Sequence, residues 1–207
     1  MAHIEIPVEE PSAEAALEIL VPRIVPTVSF AIHPHQDKRE LLDSLPRRLR
    51  GYARWMPRGA ARVMVLVDAD ADADDCRDLK TRLEAVSRDV GLETKSSHDG
   101  ARPAVVVNRI AVEELEAWFF GDVPALCAAF PGIPATLGAR RRFRDPDAIR
   151  GGTWETLHWV LRSAGSMAGG FEKIATARAV AAHMEPQRNR SGSFRRFREA
   201  LVWAAEA

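Results

Sequence analysis

The chain has 207 residues, 46% of them apolar and 28% charged, which is the balance of one well-buried globular domain and excludes a disordered chain. Its 29 basic and 29 acidic residues cancel, so bulk charge steers it toward neither nucleic acid nor membrane, and any attraction to phosphate has to be local. Two cysteines, Cys76 and Cys127, are too few for a disulfide framework or a zinc site of paired cysteines. No secretory start and no apolar run near the ~20 residues of a membrane span is present, so the expectation is a cytoplasmic protein with reduced thiols.

Residues 3 to 9, HIEIPVE, alternate as a strand does, with Pro7 predicting an edge position or an irregular ending. Ser12 then opens AEAALEILVPRI as a helix that should end by Pro22. The β-branched VPTVSFAIHP reads as a second strand. DKRELLDSLPRRLRGYARW reads as a helix carrying Leu41, Leu42, Leu45 and Leu49, kinked or split at Pro46. The apolar run ARVMVLVD is the clearest strand; buried on both faces, it belongs in the centre of a mostly parallel sheet. DDCRDLKTRLEAVSRDVG is helical, PAVVVNRIA is a fourth strand, and AVEELEAWFFGDVPALCAAF supplies one or two helices broken near Gly121 and Pro124. The alternation predicts an α/β layered sheet flanked by helices over residues 1–130. Residues 131–207 show no strand. They read as a helical C-terminal extension packed on that core, with helices over roughly 145–163, 171–184 and 193–205 and joints at Gly151-Gly152 and Gly169-Gly170.

The strongest chemical signal is VDADADADDC, which crowds Asp68, Asp70, Asp72, Asp74 and Asp75 onto the carboxyl end of the buried third strand. Like charges this close repel, and a hard divalent ion relieves the conflict by taking several carboxylate oxygens at once. An acidic turn at the following helix start accounts for Asp72, Asp74 and Asp75. It accounts less well for Asp68 and Asp70, which follow directly on the apolar run. An EF-hand fails, because its sixth and twelfth positions would be Ala73 and Leu79. A haloacid-dehalogenase phosphatase would carry its aspartate on the first strand. A second acidic group, Glu9, Glu10 and Glu14, closes the first strand, where Glu9 is expected to face Asp68 and Asp70. A third holds Glu113, Glu114 and Glu116, with Glu116 either turned to the site or solvated.

In order along the chain, VEEPSAEA, VDADADADDCRDLK, RIAVEELEAWFFGD, DPDAI, Phe171-Glu172-Lys173, ARAVAAHM and NRSGSFRRF resemble a Toprim-like family labelled domain of unknown function 4276, related in fold to the nuclease domains of the overcoming-lysogenisation-defect proteins. The resemblance spans nearly the whole chain. It implies a Toprim-like, Rossmann-like fold, Glu9 as the Toprim glutamate, and Asp68 with Asp70 as the metal-binding pair for Mg2+ or Mn2+. Glu10 stands where the family has glycine. The implied activity is metal-dependent phosphodiester hydrolysis, nuclease-like, in a phage- or plasmid-defence setting. There Glu116 would complete a second metal shell, and a cation for the transition state would come from Lys173, Arg178 or Arg195. Arg140 to Arg144 and Arg188, Arg190, Arg195 and Arg196 are candidate grips on a nucleic-acid backbone, and His33 and His35 are weaker candidate ligands. Asn189, Ser191 and Ser193 read as a turn and helix cap. Two alternatives stay open: a non-catalytic nucleotide- or nucleic-acid-binding partner of an adjacent ATPase, and a small-molecule phosphohydrolase.

Overall fold

The structure is a computed structural model that describes residues 2–56, 61–70, 76–100, 102–166 and 172–206. Strands β1 (His3–Val8), β2 (Ser29–Pro34), β3 (Ala61–Asp68) and β4 (Val106–Ala111) alternate with helices α1 (Pro11–Ile24), α2 (Lys38–Trp55) and α3 (Cys76–Asp89). All pairings are parallel and the strand order is β2-β1-β3-β4. This is a Rossmann-like α/β sheet. The chain continues through α4 (Glu116–Gly121), α5 (Val123–Ala129), three short 3-10 turns between Leu137 and Ala148, then α6 (Thr153–Ser163), α7 (Lys173–Ala181) and α8 (Gly192–Ala205). Among the described residues no helix is long and apolar enough to cross a membrane.

The two faces of the sheet bury different halves of each strand, as the period of two requires. Val63, Val65, Val67 and Val106 meet the stripe Leu41, Leu45, Leu49 and Tyr52 of α2 and Leu79 and Leu83 of α3. Ile4, Ile6, Val8, Met64, Leu66 and Val107 meet α1 and α8. That second core is continuous with Trp118, Phe120, Leu157, Ala177 and Phe194, so the helical C-terminal part shares its apolar interior with the sheet.

Three prolines sit where the sequence argues against them. β1 is central rather than an edge. Pro7 has no N–H to donate, and the β1–β3 ladder lapses at Ile6 and Pro7 before resuming at Val8 with Leu66, while the β1–β2 ladder runs unbroken. Helix α1 continues past Pro22 to Ile24. α2 is a single helix through Pro46, because its buried leucine stripe outweighs the ~3 kcal/mol of an interior proline. At the end of the sheet, Asp70 (φ 51°) and Glu113 (φ 58°) are both left-handed non-glycine residues. The Asp70 N–H donates to Glu113 O at 2.9 Å and the Ala69 N–H to Ala111 O at 2.9 Å, so the segments leaving β3 and β4 are zipped together.

Candidate metal centre

Parallel strands open their carboxyl ends along one edge. In the order β2-β1-β3-β4 the chain moves outward in opposite directions from β1 and β3, which makes the crevice between them the switch point where open α/β sheets take ligands. Glu9 and Glu10 leave β1 there and Asp68 ends β3. The Asp68 N–H donates to Glu9 Oε2 at 3.0 Å, which lays the Glu9 side chain across the end of β3. The Asp68 carboxylate is buried and accepts the Leu115 N–H at 3.3 Å. Leu115 is the residue before α4, so the same contact holds Glu116 over the crevice. Glu116 is 1% exposed, and neither carboxylate oxygen accepts a hydrogen bond among the described residues.

Two lysines enter this cluster. Lys173 Nζ lies 2.7 Å from Glu10 Oε1, 2.9 Å from Glu10 Oε2 and 3.9 Å from Glu116 Oε1. Lys38, the first residue of α2, donates to Asp70 Oδ2 at 2.6 Å. Glu9, Glu10, Asp68, Asp70 and Glu116 against Lys38 and Lys173 leave three negative charges in excess if all ionise. The acids respond as crowding in low dielectric dictates. Burial, opposed by the Asp68 N–H and Lys38 and aided by Asp70 and Glu10, pushes the Glu9 carboxyl up to about 7. Burial again, with Glu9, Glu116 and Glu10 adding repulsion, drives Asp68 well above the usual range. Burial pushes Glu116 up to about 8, since one ammonium at 3.9 Å does not replace lost hydration. Burial works against the Lys173 charge, but Glu116 and Glu10 more than offset it and raise the lysine.

The donor set consists of carboxylate oxygens, which suits a hard cation such as Mg2+ or Mn2+. The histidines are engaged elsewhere. His35 Nδ1 donates to Val8 O at 2.8 Å with its Nε2 3.1 Å from Ser44 Oγ. His33 pairs with the buried Glu5, which also accepts from Tyr52 OH at 3.2 Å. As placed, no three His, Cys, Asp or Glu side chains among the described residues stand close enough to share an ion; the Lys173 ammonium lies between Glu10 and Glu116, and that of Lys38 lies against Asp70. The bare oxygens of Glu116 are the feature that fits a cation. Asp72, Asp74 and Asp75 of the acidic run, Phe171 of the aromatic-x-Lys element and Gly169-Gly170 lie outside the described residues.

Of the cations proposed from sequence, Lys173 alone of the three helical candidates contacts the cluster. Arg178 pairs with Glu18 at 3.7 Å, and Arg195 is exposed on α8. Within the basic stretches, Arg142 donates to Thr156 Oγ1 at 2.8 Å and Arg144 to Ala139 O at 3.2 Å. Arg188 forms a fork on Asp122 at 2.8 and 3.0 Å, so it is a structural partner rather than a free phosphate grip. NRSGSF is also architectural. Asn189 Nδ2 donates to Trp118 O at 2.7 Å, Ser191 Oγ caps α8 through the Phe194 N–H at 3.0 Å, and Trp118 Nε1 donates to Ser193 Oγ at 2.9 Å. Trp118 packs edge-on against Phe194 at 5.2 Å. The motif therefore anchors α4 and, through it, Glu116. Glu114 is spent on α6, accepting from Thr153 Oγ1 at 3.0 Å and the Trp154 N–H at 2.8 Å.

Sequence reasoning missed Lys38 and the Glu10–Lys173 pair. Lys38 had a signal, since a residue just past the second strand of a parallel sheet lies at the ligand-binding edge. Glu10 with Lys173 had none, because the partners are far apart in the chain and meet only through tertiary packing. No curated protein and no solved structure matches the chain. The model of one family covers residues 8–202. That span takes in strands β2 to β4, the crevice acids and the α4 anchor, and the chain belongs to the family described as Domain of unknown function (DUF4276).

Proposed function

We propose that the chain hydrolyses phosphodiesters with a divalent metal, Mg2+ or Mn2+, from an acidic centre of the Toprim type, with nucleic acid as the substrate class and the cytoplasm as its setting. The observation that carries this reading is Glu116. A carboxylate 1% exposed, with both oxygens lacking hydrogen bonds among the described residues, costs stability in the free chain and is stabilised by a cation. A divalent ion bound there would supply Lewis acidity and a more acidic attacking water. Glu9, Asp68, Asp70 and Glu116 would hold it. The Asp68 N–H fixes the Glu9 rotamer, and Lys38 restrains Asp70. Lys173, whose ammonium Glu116 and Glu10 keep protonated against the cost of burial, would face the negative charge that grows in the transition state.

The test is cleavage of single- and double-stranded DNA and RNA with and without Mg2+ or Mn2+, with Asp68→Asn as control. Metal-dependent cleavage lost in Asp68→Asn supports the assignment; equal residual activity in the variant rejects it.

A second reading, a non-catalytic nucleotide- or nucleic-acid-binding partner of an ATPase, is favoured by Glu10. Its carboxylate holds Lys173 at 2.7 Å where the resembled pattern has glycine, which ties up the cation that catalysis needs. Binding without turnover in the wild type, and turnover appearing in Glu10→Gly, would favour this reading.

A further inference from the structure

We propose that the exposed face of α2 is the track along which a nucleic-acid strand lies on its way to the acidic centre; this rests on the function proposed for that centre. The chain is neutral overall, but α2, KRELLDSLPRRLRGYARW, carries six basic and two acidic residues, a net of +4. Its leucine stripe is buried against the sheet, which turns Arg39, Arg47, Arg50 and Arg54 to solvent. A surface groove of about 830 Å3 beside the first half of the helix is lined by Arg39, Arg47 and Arg48 together with Asp37, Glu40 and Asp43. The acids at its start are used locally. Asp37 caps the helix through the Glu40 N–H at 2.7 Å, Glu40 accepts the Gln36 N–H at 2.6 Å, and Asp43 lies 3.7 Å from Arg39. The later turns have no such partners in sequence.

The track has a direction. It begins at Lys38, whose ammonium is 2.6 Å from Asp70 in the acidic crevice, and ends at Arg54, about 24 Å away at 1.5 Å rise per residue. That length matches about seven phosphates of one strand held in duplex geometry, at ~3.4 Å of helix axis each, and fewer of an extended strand. A row of guanidinium groups leading into an acidic, cation-seeking crevice is complementary to a phosphate backbone whose scissile group must reach a metal. An acidic peptide would match the arginines and gain nothing at the crevice.

The test reads the binding of a fluorescein-labelled single-stranded oligonucleotide by anisotropy, in EDTA, across a salt series. The proteins are the wild type, Arg47→Glu/Arg50→Glu/Arg54→Glu, the milder triple change to Gln, and Arg195→Glu/Arg196→Glu on α8. The expected result is binding about tenfold weaker or more in the α2 triple variant, with a salt slope reduced by about two, and near wild-type binding in the α8 variant. Because the Gln set keeps folding separable from charge, its retention of wild-type affinity and slope overturns the track, as does wild-type failure to bind, equal loss in the α8 variant, or equal wild-type affinity for polyglutamate. Manganese binding by the wild type is measured separately. Its absence would refute the acidic centre and leave the α2 result standing.

Discussion

Glu116 and Asp122 bracket the same short helix, and both are sealed from water at 1% and 0% exposure, yet their surroundings are opposite. Asp122 caps α5 through the Ala125 N–H at 3.3 Å, accepts the Glu185 N–H at 2.8 Å, and takes both arms of Arg188. Glu116 accepts no hydrogen bond among the described residues and has one ammonium at 3.9 Å. A buried acid with every lone pair engaged holds a fold together, while one left bare spends stability and marks a place where something charged belongs. The C-terminal clamp and the sheet-end crevice thus divide the work, the first fixing α4 so that the second can present Glu116.

The comparison breaks most severely at the clamp. Gly121 has no room for a Cβ, which would stand 2.1 Å from Asn189 Oδ1 and 2.9 Å from the Ser191 nitrogen. Gly121→Ala should therefore push NRSGSF off α4, and Asp122→Ala should remove the fork from Arg188. Each is expected to lower the urea midpoint by an amount worth about 3 kcal/mol. A wild-type midpoint in Asp122→Ala would deny that the clamp bears stability.

Glu116→Gln should act in the other direction, raising the stability of the metal-free protein by about 2 kcal/mol at neutral pH while weakening metal binding. A midpoint lowered as in Asp122→Ala would mean that Glu116 is structural after all.

A smaller, graded effect is the pH dependence of the metal-free chain. Glu9 at about 7 and Glu116 at about 8 sit above their unfolded values of 4.5. Between those limits the folded state binds more protons than the unfolded one, so these groups make stability fall as pH rises, by up to about 1.4 kcal/mol per pH unit for each proton of difference. Urea midpoints across that window should decline, and Glu116→Gln should flatten the upper part. A wild-type profile that rises there would contradict the assigned shifts.

The smallest expected effect has the opposite sign. Burial works against the Glu5 charge, but its bonds with His33, His3 and Tyr52 outweigh that and hold the carboxyl below its usual value. Its contribution is present above the unfolded value of 4.5 and is lost as pH falls through the lower folded value. The acid limb of the same profile should shift toward neutrality in His33→Ala; an unmoved limb would discount the pair.

How much of this was legible in the sequence follows from which forces are local. β3 was readable to the residue, because ARVMVLVD is apolar throughout and stops at an acid. The parallel α/β arrangement was readable from the alternation of elements, and the meeting of Glu9 with Asp68 from the placing of strand ends. Prolines misled at Pro7, Pro22 and Pro46, where β1 stays in the centre of the sheet and both helices run on past their prolines. NRSGSFRRF showed arginines and a cap in sequence, but that its asparagine and serines serve Trp118 and α4 depends on contacts across some seventy residues. Lys173 was found as a cation without its partner, since nothing local links it to Glu10.

The central claim is tested most directly by titrating Mn2+ into the wild type, Asp68→Asn and Glu116→Gln, and reading free Mn2+ by electron paramagnetic resonance. The account predicts saturable binding by the wild type and affinity weakened about tenfold or more in each variant. Indistinguishable isotherms for the three proteins, or no binding by any of them, would contradict it.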